Sequence, residues 1–338
     1  MINMLSLSEF LRDMIKEKTY QKAKSIFLFF VNLWPWHVLC SHGVKILTYH
    51  GICSDEISHE EWIPPHFVKL SEFKKQMVYV AKHLKPVSLK QAVKFLKKEK
   101  NKRFIVITFD DGYANNFHLA LPVLQKLGIP ATIFLTTRYI EKQDLFPFDK
   151  IRLLKYWGVK DISMTAYLNN PIIQLDYQLS QIWPSYNHLL TEKQWEILRP
   201  LTIEEIKKMK STGLIDFGAH THSHCILKNE SRDTRKKEIA ISVKRVKEIT
   251  GQYEIPFSYP NGQIGDFDKE DKLYVKNLCY CAVSGIPGYN NYTTDLFGLK
   301  RYCIGLHHSL GVFKLEISDI RQIASRFLGR KSNYLKNG

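Results

Sequence analysis

Residues 104–112 read Phe-Ile-Val-Ile-Thr-Phe-Asp-Asp-Gly, and the fold follows from how that stretch is read. Six apolar or β-favouring residues in a row (Phe104–Phe109) predict a strand covered on both faces, the pattern of a parallel sheet flanked by helices. Two adjacent carboxylates end the run. Burying them is costly unless they have partners. Gly112 permits a sharp reversal of the chain that turns both carboxylates to one site. An Asp-Gly dipeptide is also an ordinary turn signal, so this stretch alone leaves a plain turn open.

Working outward, strand-like and helix-like runs alternate from residue 43 on, as in α/β architectures. Val44–His50 reads as a strand, and Ser71–Leu84 as a helix with Phe73, Met77, Val80, Ala81 and Leu84 at helical spacing. Ser88 and Gln91 form a capping box opening a helix through Lys98, and Thr202 with Glu205 form another. A helix to Leu127 follows the Asp-Asp strand, Gly128 and Pro130 punctuate, and Ala131–Leu135 is the next strand. Leu214–Gly218, Ile255–Tyr259 and Tyr280–Val283 read as further strands. Ser231–Thr250 reads as a long helix, and a last helix is expected from about Ser318 to Leu328. Residues 141–200 lack clean periodicity, are rich in aromatics and carry Pro147, Pro171, Pro184 and Pro200; they are expected to be an insertion over one face. The pattern fits six or seven strands in an open doubly wound sheet or a barrel, and does not separate the two.

A second stretch carries ligand-type side chains just after a strand: Gly218-Ala219-His220-Thr221-His222-Ser223-His224. In α/β folds the C-terminal strand ends form the active face. His220 and His224 are the better-spaced pair, whereas His222 shapes the loop. Two histidines and one carboxylate leave an open coordination position, the requirement for a catalytic metal. A divalent ion acidifies bound water, and a second carboxylate beside it can act as base. Surface histidines are the plain alternative.

Charge is the unusual bulk property: Lys plus Arg number 49 against 33 Asp plus Glu in 338 residues. Residues 82–103 hold nine Lys/Arg and one Glu, and residues 321–338 hold five and no acid. These clusters are either solvated helix faces or an attraction to an anionic surface. No nucleic-acid module is present, so acidic lipid or glycan is the expected partner. Residues 1–43 contain the apolar Ile26–Cys40 after Lys16, Lys18, Lys22 and Lys24, with no small-residue cleavage site. At 15 residues this run is short for a membrane span. It reads as an amphipathic segment lying on a membrane surface, on the cytoplasmic side, or else as a helix packed on the domain. The six cysteines show no framework spacing, and free thiols are expected.

ILTYHGI (46–52), VITFDDGYANNFHLALPVLQKLGIPATIFL (106–135), FPFDKI (146–151), GAHTHSHCIL (218–227), FSYPNG (257–262) and FGLKRYCIG (297–305) together resemble, in order, the polysaccharide deacetylase family, the NodB-homology domain of carbohydrate esterase family 4. The likeness covers most of residues 44–305. It implies a distorted (β/α)7-type barrel within a catalytic domain at 44–310, with the insertion at about 141–200 and a C-terminal helix and basic tail at 311–338. It implies metal-dependent removal of N-acetyl groups from amino sugars, with Asp111, His220 and His224 as ligands to a divalent metal, zinc by expectation, and Asp110 as general base. The Asn261 backbone N–H is implied to stabilise the oxyanion. The family's motif arginine is Ser258 here, and Arg301 is the candidate replacement. The general acid is either His50, as in the circularly permuted biofilm-type members, or a histidine of the His307-His308 pair; His50 is preferred. Asp149 has a structural or rim role, and Phe257 and Tyr259 either stack on a sugar or pack in the core. The implied partner is an acetylated amino-sugar glycan or a small lipid-linked sugar; a carbohydrate-binding relative without activity is the remaining alternative.

Overall fold

The computed structural model describes residues 42–98 and 102–318. Its strands are β1 (Gly43–Tyr49), β2 (Ile52–Cys53), β3 (Val68–Lys69), β4 (Arg103–Phe109), β5 (Ala131–Leu135), β6 (Ile215–Ala219), β7 (Phe257–Ser258), β8 (Ala282–Val283) and β9 (Tyr302–Cys303). Seven of them form a sheet in the order β8-β7-β6-β5-β4-β1-β9, every pairing parallel. The sheet closes on itself. Leu299 bridges Val283 of β8, with the Ser284 N–H donating to the Leu299 carbonyl at 2.8 Å, while a few residues on the Ile304 N–H donates to Thr48 O of β1 at 2.9 Å. Residues 299–304 thus join both edges, so the architecture is a barrel and not an open sheet.

Residue parity explains the layers. Val44, Ile46, Phe104, Val106, Phe134, Cys281, Val283 and Leu299 form one buried cluster, closed by Leu89, Val93 and Leu96 of the helix Leu89–Lys98. The alternate positions Tyr49 and Phe109 pack instead on Phe73 of the helix Leu70–His83, with ring centroids 5.3 and 6.0 Å away. Both faces of β4 are therefore covered, as its unbroken apolar run requires. One step up the barrel the cluster gives way to Thr48 and Thr108, whose hydroxyl oxygens lie 3.3 Å apart, and then to Asp110. The polar end of the barrel is the C-terminal end of its strands.

Local signals act where expected. Ser88 and Gln91 exchange capping hydrogen bonds, as do Thr202 and Glu205, and Gly128 and Gly251 end helices in the left-handed region. Residues 141–200 are mostly helical, in the short helices Pro147–Tyr156, Met164–Asn169, Ile172–Ile182 and Glu192–Leu198. Two of the four prolines start helices instead of breaking them, since Pro147 opens one and Pro171 precedes another, where a missing N–H costs nothing. The C-terminal helix is Leu310–Ile317, and Ser318, expected to begin a helix, is its extended C-cap. The remainder of the expected helix to Leu328, the basic tail and the amphipathic segment up to residue 41 lie outside the described residues. No helix among those described is long and apolar enough to cross a membrane. His42–His307 form one compact unit, and the helix Leu310–Ile317 belongs to another.

A Cβ on Gly218 of β6 would lie 2.6 Å from the Phe134 ring and 2.7 Å from Pro256 O. Gly218→Ala is expected to destabilise the protein by about 1–3 kcal/mol through overpacking of the barrel interior. A denaturation midpoint equal to that of the unaltered protein would refute this packing.

Candidate active site

β4 delivers Asp110 and Asp111 to the barrel mouth. The Asp110 N–H still donates to Tyr49 O at 2.9 Å, continuing the sheet. Asp111 then takes φ 71° and Gly112 φ 88°, both left-handed. This reversal brings two neighbouring carboxylates into one pocket.

His220 and His224 arrive from the loop after β6. His220 Nδ1 lies 2.7 Å from Ser258 O of β7. A carbonyl only accepts, so Nδ1 carries the proton and Nε2 presents a lone pair. His224 Nδ1 meets the hydroxyl of Tyr167, which also lies 3.3 Å from His224 O. If the hydroxyl donates to that carbonyl, it accepts from Nδ1, and the Nε2 of His224 is bare as well. Both Nε2 atoms face Asp111 Oδ1, at 3.6 Å from His220 and 2.9 Å from His224, yet this buried oxygen accepts no well-formed hydrogen bond. Three buried ligand atoms, one each from Asp111, His220 and His224, lie within 4.8 Å of one another, a set that fits a divalent metal ion.

Asp110 has a different environment. Arg301 grips it with both arms, Nη1 to Oδ1 at 2.8 Å and Nη2 to Oδ2 at 2.7 Å, while its Nε donates to Ser284 O at 2.8 Å. Arg301 Nη2 also reaches the Ser258 hydroxyl at 3.0 Å. Burial alone would raise the Asp110 carboxyl, but Arg301 and then His220 hold it below its usual range. Asp111 shows the same balance: burial raises it, and the charge and side-chain hydrogen bond of His224, then the charges of His50 and His220, bring it well below. Burial pushes the His220 imidazole down to about 4. A neutral imidazole is the ligand form.

His50 follows β1. Burial lowers its pKa against the opposing pull of Asp111 and then Asp110. Asn261 sits on the turn after β7 at φ 56°, its side chain donating to Asp266 Oδ2 at 2.6 Å. His222 turns away from the ligands: its Nδ1 meets the Thr137 hydroxyl at 2.8 Å, and its N–H and that of Ser223 donate to Glu238. Asp149 is fully buried and accepts from the Tyr113 hydroxyl at 2.7 Å, burial raising it to about 7. Tyr259 is buried and stacks on Phe267 at 3.9 Å. Sequence reasoning missed Tyr167 and His66, whose ring lies 4.5 Å from that of His50. Neither carries a motif or spacing that marks it.

Residues 97–278 match the family model for polysaccharide deacetylase, more than half of the chain. The chain belongs to the polysaccharide deacetylase family. The deacetylase is 29% identical over 282 residues to the putative polysaccharide deacetylase YxkH of Bacillus subtilis, covering 82% of this chain and 77% of that protein. It is 26% identical to the poly-β-1,6-N-acetyl-D-glucosamine N-deacetylase of Staphylococcus epidermidis over 62% of this chain, and spans 59% of that protein's length. Among solved structures, the Streptococcus pyogenes deacetylase PplD in complex with acetate matches with a TM-score of 0.58 at 20% identity, covering 81% of this chain and 98% of that one. IcaB from Ammonifex degensii matches at 0.54 and 17% identity, over 82% and 97% of the two chains. These structures share the barrel fold.

Partners that orient a metal-ligating histidine commonly contribute 10–100-fold to metal affinity or activity. Tyr167→Phe is therefore expected to weaken metal binding by about 10–100-fold in a chelator competition, with the fold intact. Unchanged affinity would remove Tyr167 from the site.

Proposed function

We propose that this deacetylase hydrolyses N-acetyl groups of glucosamine units in a polysaccharide, releasing acetate and leaving a free amine. The observation that carries this reading is the juxtaposition of the buried Asp111–His220–His224 set with a second carboxylate held ionised by Arg301. A divalent ion on that set, zinc by its nitrogen and oxygen donors, would supply Lewis-acid polarisation of the carbonyl and acidification of water. Asp110 takes the proton of the attacking water; its Oδ2 is 4.0 Å from His220 Nε2, and Arg301 fixes its orientation. The Asn261 N–H donates to the oxyanion that develops on the acetyl carbonyl. His50 gives a proton to the departing nitrogen, so that an amine leaves and the enzyme returns to its starting state once Asp110 passes on its proton. The staphylococcal relative named for poly-β-1,6-N-acetylglucosamine supports a glucosamine polymer as substrate. Asp110→Asn is expected to retain metal and lose about 10²–10⁴-fold in acetate release from acetylated glucosamine oligomers, the usual loss on removing a general base. Near-normal release by this variant would overturn the assignment.

Membrane attachment through residues 1–43 belongs to the same proposal. It rests on the lysines flanking an apolar aromatic run, a pairing of charge and hydrophobic surface that favours anionic lipid. The full chain is expected to sediment with anionic vesicles, less so as salt rises. Deletion of residues 1–40 is expected to abolish sedimentation and leave hydrolysis of a soluble substrate intact. Loss of folding on deletion would instead make the segment part of the domain.

A further inference from the structure

Beside His50 lies a histidine that the chemistry above does not employ. His66 follows Pro64-Pro65, and its ring lies 4.5 Å from that of His50, centroid to centroid, at an interplanar angle of 54°. The backbone around it is tied down. The Phe67 N–H donates to Pro64 O at 3.0 Å, and the Leu306 N–H donates to Pro65 O at 3.0 Å. Gly305 permits that close approach, since a Cβ there would stand 2.6 Å from Pro65 O. Phe67 and Phe148 flank the ring, at 5.6 and 6.4 Å.

Each imidazole of the pair buries one nitrogen without a hydrogen-bond partner: Nδ1 of His50 and Nε2 of His66. Unpartnered buried nitrogens are rare, and two on adjacent rings call for one explanation. The nearby carboxylates are already committed. Asp110 is held by Arg301, and Asp111 faces His220 and His224.

We infer that His66 is the positioning residue of His50, its Nε2 accepting the Nδ1–H of His50 once the two touching rings turn into line. The inference rests on the reading of His50 as general acid. Which nitrogen a histidine presents for reaction is set by what its other nitrogen holds. An acceptor at Nδ1 keeps the proton there in both charge states of His50 and leaves Nε2 to deliver its proton to the leaving amine. Burial and the neighbouring His50 push the His66 imidazole well down, so it stays neutral and keeps the lone pair this role needs.

The test exploits the leaving group. An amine must be protonated to depart, whereas the phenolate of 4-nitrophenyl acetate leaves without an acid. Acetylated glucosamine oligomers and 4-nitrophenyl acetate are compared in the metal-loaded full chain and in His50→Ala, His66→Phe and His66→Gln. His66→Phe is expected to lose about 10–100-fold in kcat on the oligomer, as loss of an orienting partner does, with KM and the aryl ester rate near normal. His66→Gln, whose side-chain oxygen can accept near the Nε2 position, is expected to recover most of the loss. Equal slowing of both substrates by His66→Phe, or of neither, overturns the inference; should that variant not fold, His66→Leu takes its place in the comparison. Full oligomer activity in His50→Ala would instead sink the general-acid reading, whereas a loss in His50→Ala with none in the His66 variants sinks this inference alone.

Discussion

The ion pair between Arg301 and Asp110 is the contact on which the rest of the barrel mouth depends. Both residues are about 3% exposed, and the pair joins positions 191 residues apart in sequence. A buried carboxylate needs a paired, hydrogen-bonded cation, and a bidentate guanidinium meets that need best. Arg301 lies in the segment that closes the barrel, so Asp110 is satisfied only when the last strand has docked against the first. The same guanidinium group reaches Ser284 O after β8 and the Ser258 hydroxyl on β7. One side chain therefore ties together four parts of the ring. Breaking such a pair by removing one partner commonly costs about 3–5 kcal/mol, because the other charge stays buried.

The histidine loop is held from outside the barrel. Glu238, on the helix Arg232–Thr250, accepts from the N–H groups of both His222 and Ser223. Arg138 returns an N–H to His222 O at 2.8 Å. Thr221 and His224 adopt left-handed φ of 56° and 58°, conformations that β-branched and bulky residues avoid. Surrounding contacts must over-determine such a loop for it to persist. The inserted helices add to that restraint: Tyr167 bonds His224, and the Phe148 ring lies 4.9 Å from it. Residues 141–200 thus supply part of the wall around His224.

What was legible in the sequence is what is local. The Asp-Asp-Gly stop after a buried strand and the histidine run after another are each written in a few consecutive residues, and the structure brings Asp111, His220 and His224 together. Capping boxes were legible for the same reason. The choice between barrel and open sheet was not, because β7, β8 and β9 have two residues each and carry no periodicity. The helices of the insertion run only 6 to 11 residues, too short for a stable apolar stripe to show. Tyr167 and His66 were illegible for a deeper reason. Their significance lies in contacts 57 residues and 16 residues away in the chain, and nothing next to them in sequence announces it.

Two adjacent aspartates end up with opposite surroundings, and the backbone is the cause. Consecutive residues of an extended strand point to opposite faces. Asp110 keeps the inward parity of Val106 and Thr108, which puts it under Arg301, where both its oxygens accept from the guanidinium. Had the strand continued, Asp111 would have pointed outward with Phe109. The left-handed turn at Asp111, followed by Gly112, swings it back across the mouth, away from Arg301 and toward the two histidines. A Cβ at Gly112 would stand 2.9 Å from Leu135, so a larger residue would crowd the chain where it reverses. The turn therefore separates the two carboxylates: each oxygen of Asp110 accepts from a fixed cation, while Oδ1 of Asp111 faces the Nε2 atoms of His220 and His224.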